Sequence, residues 1–304
     1  MKQNLRLFAL LALGWLVAQQ PLGAQPTRVV TTTTELRNLV EIVGGDRVAA
    51  SHLIAPNTNA ESYQAKPQDL ARVKEADLIV RVGLDYDLWL DRLLERARPE
   101  LRRRGPRHVD ASMAIALLDV RGTRAGPSDG HAHGSGNPHY WLDPLNVEII
   151  TGSILEALAR IDPSHIDAYQ GRRRKLLEDI GRKLPEWEAR LAMVRGEPLI
   201  AYHNTWAYFA RRFRLKFVGY IELREGVPPS AAHLAHLAKL MREQKVRIVV
   251  RQPHESAKDA EAMAQRVGAK VVVLAASVQA IPAASDYLAM IDYNIATLVA
   301  AAER

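Results

Sequence analysis

Residues 163–193 read PSHIDAYQGRRRKLLEDIGRKLPEWEARLAM. Ile166, Tyr169, Leu176, Leu177, Ile180, Leu184, Trp187 and Leu191 recur at the spacing of one helix face, while Arg172, Arg173, Arg174, Glu178 and Arg182 occupy the other. An uninterrupted helix of ~30 residues would be ~45 Å long. Pro185 lies inside it and predicts a kink or break, because proline removes a backbone donor and crowds the preceding turn. Strand–helix alternation stops before this segment and restarts after it, so it reads as a spine between two lobes rather than as a surface helix of one.

On the N-terminal side, residues 28–34 (RVVTTTT) form a β-branched strand. Leu36, Leu39, Val40 and Val43 then mark a helix, which Gly44-Gly45 stops. Strands follow at residues 48–54, 77–82 and 108–111, and helices at 67–74 and 84–97. On the C-terminal side the spacing predicts strands at residues 198–202, 216–221, 246–250 and 270–274. It predicts helices at 205–213, 231–244, 257–267 and 286–302. Strands alternating with helices build a parallel sheet covered on both faces. The fold class is therefore α/β: two lobes, each a parallel-type sheet flanked by helices, joined by one long helix. The expected division is an N-terminal lobe over residues 25–163, the linking helix over 164–193 and a C-terminal lobe over 194–304. No close sequence repeat is visible, only repetition of the unit type.

The chain has 304 residues, 48% of them hydrophobic and 25% charged, with a formal net charge of +7. These are globular values and exclude wholesale disorder. With no cysteine, disulfide scaffolds, zinc fingers, iron–sulfur sites and thiol nucleophiles are excluded. Lys2 and Arg6 precede the apolar residues 7–18 (LFALLALGWLVA), and Pro21, Gly23 and Ala24 follow. This is the three-part pattern of a cleaved secretory signal peptide over residues 1–24, too short in its apolar part to span a bilayer comfortably. Its removal takes two positive charges, 7 − 2 = +5. A periplasmic protein is expected, not a lipoprotein, because no cysteine is there to carry a lipid. The scattered arginines form no nucleic-acid footprint.

Of the ten histidines, His52, His108, His165, His233 and His236 read as structural or solvated. His139 differs: it lies in NPHYWLDP, residues 137–144, where two prolines stiffen the chain and a tryptophan is close enough to pack on the imidazole. His203 lies in residues 202–206 (YHNTW), just beyond a strand and before a helix, where open parallel sheets bind ligands. One such histidine in each lobe, facing a common cleft, makes a candidate metal pair. Residues 122–137 (GTRAGPSDGHAHGSGN) read as a loop carrying His131 and His133, which could gather metal or simply be solvated.

These residues resemble the TroA-like family, the zinc- and manganese-binding periplasmic proteins of metal ABC transporters. The strongest piece is residues 137–144, close to the family's proline–histidine–x–tryptophan–x–aspartate–proline motif. Residues 202–209 (YHNTWAYF), 219–222 (GYIE) with 228–230 (PPS), 66–70 (KPQDL), 74–80 (KEADLIV) and Asp286-Tyr287 through Asn294 support it in the right order over nearly the whole mature chain. The resemblance implies a class III periplasmic binding fold, with the metal clamped between lobes joined by one long helix. It places a ligand at His139 and another at His203. The first ligand, a histidine in the family, falls on Glu61 within residues 59–63 (NAESY), and the family's frequent aspartate falls on Ala275 or Ala276, which can donate nothing. His254 and Glu222 are candidate substitutes for that missing ligand. Arg251, beside the cleft, is expected to pair with Glu61 or Glu222.

Two imidazoles and one carboxylate suit zinc with one position open to water, and suit Mn2+ or Fe2+ better than an all-histidine set would. The expected function is a non-enzymatic, monomeric solute-binding protein that captures Zn2+ and delivers it to an integral-membrane ABC permease, with affinity falling as pH drops through the ordinary histidine range near ~6.5. One alternative is an anion or metal chelate held with the help of Arg251. A more distant one is a metal-dependent hydrolase built on the two histidines, the glutamate and a water.

Overall fold

The computed structural model describes residues 25–119, 136–224 and 226–303. The leader at residues 1–24 and the histidines His131 and His133 lie outside the described residues. The N-terminal sheet contains β1 (Thr27–Thr31), β2 (Val48–His52), β3 (Leu78–Arg81) and β4 (His108–Asp110), in the order β2-β1-β3-β4 and wholly parallel. The C-terminal sheet repeats that order with β5 (Pro198–Ala201), β6 (Lys216–Tyr220), β7 (Ile248–Arg251) and β8 (Lys270–Val273), as β6-β5-β7-β8. All eight expected strands are present, each a little shorter than the hydrophobic run that announced it. The unit repeats in topology although its sequence does not.

The helices are α1 (Thr34–Gly44), α2 (Pro67–Glu75), α3 (Trp89–Leu94), α4 (Asn146–Ile161), α5 (Ile166–Arg190), α6 (Ala207–Phe213), α7 (Ala231–Glu243), α8 (Ala257–Gln265) and α9 (Tyr287–Ala302). The spine is α5, 25 residues and so about 37 Å long. It buries Tyr169, Leu176, Ile180 and Trp187, and single 3₁₀ turns extend it at both ends. The helix runs through Pro185, against the expectation of a break. Pro185 and the residue one turn back, Gly181, both face solvent, so water can take the carbonyl that loses its partner.

Two other elements differ from the sequence reading. The helix expected over residues 84–97 shrinks to the six residues of α3, because Gly83, Leu84 and Asp85 adopt left-handed backbone and form a tight turn first. The sequence reading passed over α4 altogether. Its signal is present in the buried Val147, Ile150, Ile154, Ala157 and Leu158.

The principal hydrophobic core is continuous across both lobes. It takes in Val29 and Val80 from the first sheet, Leu199 and Val250 from the second, and Trp187 and Ile295 between them. Asp292 of α9 accepts hydrogen bonds from Trp187 Nε1 at 2.6 Å and Lys183 Nζ at 2.7 Å, tying the spine to the C-terminal lobe. Among the described residues no helix is long and apolar enough to cross a membrane.

Candidate metal centre

The carboxyl ends of the parallel strands from both sheets converge on one small cavity. It has room for a single water-sized sphere, about 20 Å³, and is lined by Glu61, Tyr86, His139, Trp141, His203, Gln252, His254 and Ala276 among others.

Each side chain is positioned by its own element. Glu61 lies on the loop between β2 and α2. Asn59 Oδ1 accepts the backbone N–H groups of Glu61 at 3.0 Å and Ser62 at 3.2 Å, folding the chain into a local turn. Tyr63 anchors the far side of that loop by donating to Asp69 Oδ2 at 2.7 Å and packing a tilted ring against Trp89 with centroids 4.8 Å apart. Tyr86 reaches the cavity from the turn after β3. Arg81 and Asp87, both fully buried, pair at 2.7 Å beneath that turn, and Asp87 also accepts the Val82 N–H at 2.8 Å. A Cβ at Gly83, which has φ of +80°, would overlap the Asp110 carboxylate, so only glycine fits there.

His139 is almost wholly buried. Trp141 tilts against its ring with centroids 5.4 Å apart, and Tyr86 meets it edge-on at 5.6 Å. Asn137 Oδ1 accepts from the backbone N–H of His139 at 3.0 Å and lies 3.0 Å from ring Nδ1. The amide nitrogen of Asn137 faces two acceptors, Asn204 O and Asp119 Oδ2, so the oxygen must be the atom facing the ring. Nδ1 therefore carries the proton, and Nε2 turns a lone pair toward the cavity. That is the arrangement in which a histidine ligates through Nε2.

His203, equally buried, follows β5 in the C-terminal lobe. His139 Nε2 is 3.7 Å and His203 Nε2 4.0 Å from the same oxygen of Glu61. Ligands sharing a tetrahedral zinc at ~2.0–2.1 Å stand about 3.3 Å apart, so each imidazole lies a few tenths of an ångström too far from the Glu61 oxygen, and the two rings, with centroids 6.5 Å apart, are spread more widely than two imidazoles on one ion. Among the described residues no group of three or more His, Cys, Asp and Glu side chains is already drawn in to metal-holding geometry. Burial, and then the charge of Glu222, push the Glu61 carboxyl up to about 7.

The remaining sequence candidates divide. His254 lines the cavity, and burial lowers its pKa. Glu222 is not among the lining residues. Its carboxylate lies near the backbone N–H groups of Gly226 and Val227 in its own loop, and acts on Glu61 through its charge. Arg251 does not pair with Glu61 or Glu222 as expected. Its guanidinium caps the turn that follows β7, donating to the carbonyls of Gln252 at 2.9 Å and Glu255 at 3.2 Å. That turn presents backbone carbonyls within hydrogen-bond reach of the guanidinium, nearer than either carboxylate.

Ala275 and Ala276 are held by their backbones. Asn294 exchanges two 2.8 Å hydrogen bonds with Ala275, and Trp141 Nε1 donates to Ala276 O at 2.7 Å. Methyl groups thus stand where the family's aspartate was expected.

Several positioning residues escaped the sequence reading. Glu255 grips Gln252 through backbone and side chain at 2.5 and 3.1 Å, and Gln252 in turn donates to Thr205 at 3.0 Å beside His203. Glu35, fully buried on the first turn of α1, accepts from Thr34 Oγ1 at 3.5 Å, and burial pushes it up to about 7. His108 and His233 are structural, as expected: each ring meets a backbone carbonyl at 2.9 Å.

The family model for the zinc-uptake complex component A, periplasmic (ZnuA), matches residues 29–301. The chain is 27% identical over 249 residues to the high-affinity zinc uptake system protein ZnuA of Paracoccus denitrificans (strain Pd 1222), covering 71% of this chain and 73% of that one. It is 25% identical over 252 residues to the iron-binding protein YfeA of Yersinia pestis, covering 81% and 76%. A crystal structure of ZnuA matches with a TM-score of 0.77 at 26% identity, covering 91% of this chain and all of that one. The eightfold repetition of parallel strands, the spine and the cleft between two sheets are thus those of a known transport component, and this chain belongs to the ZnuA family of periplasmic zinc-uptake proteins.

Proposed function

We propose that this protein captures a divalent cation, Zn2+ first, between its lobes and delivers it to an integral-membrane ABC permease. The observation that carries this is the convergence of His139 Nε2 and His203 Nε2, from opposite sides of the spine, on one Glu61 oxygen at 3.7 and 4.0 Å. Glu61, His139 and His203 are the ligands in this reading. Drawing both imidazoles in toward that oxygen brings the three donors onto one ion. Water completes the shell, or His254 does. Residues 25–163 and 194–304 act as the clamping units around the helix at 164–193, and the core they share restricts the closure to a small movement.

Mn2+ and Fe2+ are the next cargoes in line, since a carboxylate in place of one imidazole hardens the ligand set. The iron-binding relative of Yersinia pestis is in keeping with that breadth. The mature protein works as a periplasmic monomer freed from its leader, without a lipid anchor, and His131 and His133 collect metal. It performs no catalysis and binds no nucleic acid. Arg251 does not line the cavity and turns its Nη1 to backbone carbonyls, so it offers little to an anion or chelate held there.

Calorimetric zinc titration of the mature protein at pH 7.5, with metal content measured beforehand, tests the reading. Tight one-to-one binding that disappears in His139→Ala and His203→Ala is expected. Unaltered affinity in both variants would remove these residues from the site.

A further inference from the structure

The two candidate histidines sit in different lobes, yet one small polar network touches the neighbours of both. Asn137, fully buried, accepts from His139 through Oδ1, as described above. Its Nδ2 donates to the carbonyl of Asn204 at 2.8 Å and to Asp119 Oδ2 at 3.1 Å. Asn204 immediately follows His203, and its own Nδ2 donates to the same Asp119 oxygen at 3.0 Å. One carboxylate oxygen therefore receives an amide from each side of the spine. A second strand of the network runs beside it, where Leu118 N donates to Tyr208 Oη and Tyr208 Oη to Asn137 O, both at 3.1 Å.

The geometry points to Asp119, Asn137 and Asn204 as a latch between the lobes that sets the spacing and ring orientation of His139 and His203. This inference rests on the metal reading above and adds to it three positioning residues, none of which touches the ion. The reasoning is geometric. Donors that must close on one ion tolerate errors of a few tenths of an ångström, and each histidine is carried by a loop on a separate sheet. Two amides that donate to one shared oxygen fix the two loops against each other. Asp119 lies at the surface, so removing its side chain opens no core cavity. Without it, Asn204 Nδ2 loses this acceptor, and Asn137 Nδ2 keeps only the Asn204 carbonyl.

Asp119→Ala and Asp119→Asn, made in the mature protein, test the latch by zinc competition against a chelator and by melting without metal. Loss of a partner behind the ligand shell typically weakens metal binding by about 10–100-fold, so Asp119→Ala should fall in that range. Asp119→Asn keeps an oxygen that accepts both amides and should stay within about threefold of wild type. Asp119 has left-handed backbone at φ +55°, which asparagine adopts readily and alanine does not, so metal-free wild type and Asp119→Asn should melt together and Asp119→Ala within ~5 °C below them. Wild-type affinity in Asp119→Ala overturns the latch, as does an Asp119→Asn as weak as the alanine variant, which would assign the effect to charge. Metal-free Asp119→Ala melting more than ~5 °C below wild type, beyond what the left-handed backbone accounts for, also overturns it, by making the role one of general stability. A wild-type protein that binds no zinc at all refutes the metal reading itself and takes the latch with it.

Discussion

Replacing Glu61 by glutamine tests both the ligand set and the electrostatics around it. Burial and the Glu222 charge raise the Glu61 carboxyl from 4.5 to about 7. A metal ligand must be ionised, so binding zinc displaces the proton that Glu61 holds at neutral pH. With a midpoint at about 7, the ionised fraction falls from about nine-tenths at pH 8 to about one-tenth at pH 6. Glu61 alone therefore weakens zinc binding about tenfold over that span, and the weakening begins above the pH at which ordinary histidines titrate. Glu61→Gln should lose more than the roughly 10–100-fold that an outer-shell partner is worth at pH 8, and its pH dependence should be shallower by that factor of about ten. The assay is chelator competition from pH 6 to 8 at constant ionic strength, with calorimetry in two buffers of different ionisation enthalpy to count released protons. Glu222→Gln should move the midpoint downward, because it removes a like charge. Equal affinity, equal slope and equal proton release in Glu61→Gln and wild type would refute the reasoning. Folding depends on pH in the opposite sense. The metal-free fold favours neutral Glu61, a contribution fully present below about 4.5 and lost as pH rises through about 7.

Zinc at 100 times its Kd should stabilise the wild type by about 2.7 kcal/mol and the His139→Ala, His203→Ala double variant by nothing, which denaturant melts with and without metal will show. Glu35, fully buried and raised from 4.5 to about 7, is forced to ionise as pH climbs, so Glu35→Gln should gain about 3 kcal/mol over wild type at pH 8 and nothing at pH 4. The same gain at both values would show that the carboxyl charge is not responsible. Asp143, buried two positions from Trp141, receives both Arg212 Nε at 2.7 Å and Arg212 Nη2 at 3.0 Å across the lobes. Arg212→Ala strands that carboxylate beside the more distant Arg211 and should lower stability by about 3 kcal/mol, and a urea midpoint unchanged from wild type would contradict this.

Much of the architecture is legible in short windows of sequence. Apolar runs such as residues 77–82 and 246–250 announce parallel strands buried on both faces, and the i, i+3, i+4 stripe through Leu176, Ile180 and Trp187 announces the spine. These are local signals, carried by residues that lie within one or two turns of each other. His139 and His203 were visible for the same reason, because rigid or strand-end contexts in their own sequence mark them out.

What only the tertiary structure decided lies between residues far apart in the chain. The reach of Glu61 to both imidazoles depends on a loop folded by Asn59 and pinned by Asp69, and its raised pKa depends on burial between the lobes and then on Glu222 from the other lobe. Arg251 reads as a cleft charge in sequence and is a turn cap in space, because carbonyls of its own chain lie closer than any carboxylate. Pro185 reads as a helix break and is tolerated, because solvent rather than protein surrounds the broken bond. The Asp119–Asn204 contact joins residues 85 positions apart and leaves no periodic trace. Composition and periodicity report which surfaces must be buried, and so determine the two sheets and the helix between them. Which polar groups meet inside is set by the packing of those elements against one another, and for this protein that packing makes the difference between ten scattered histidines and one candidate metal centre.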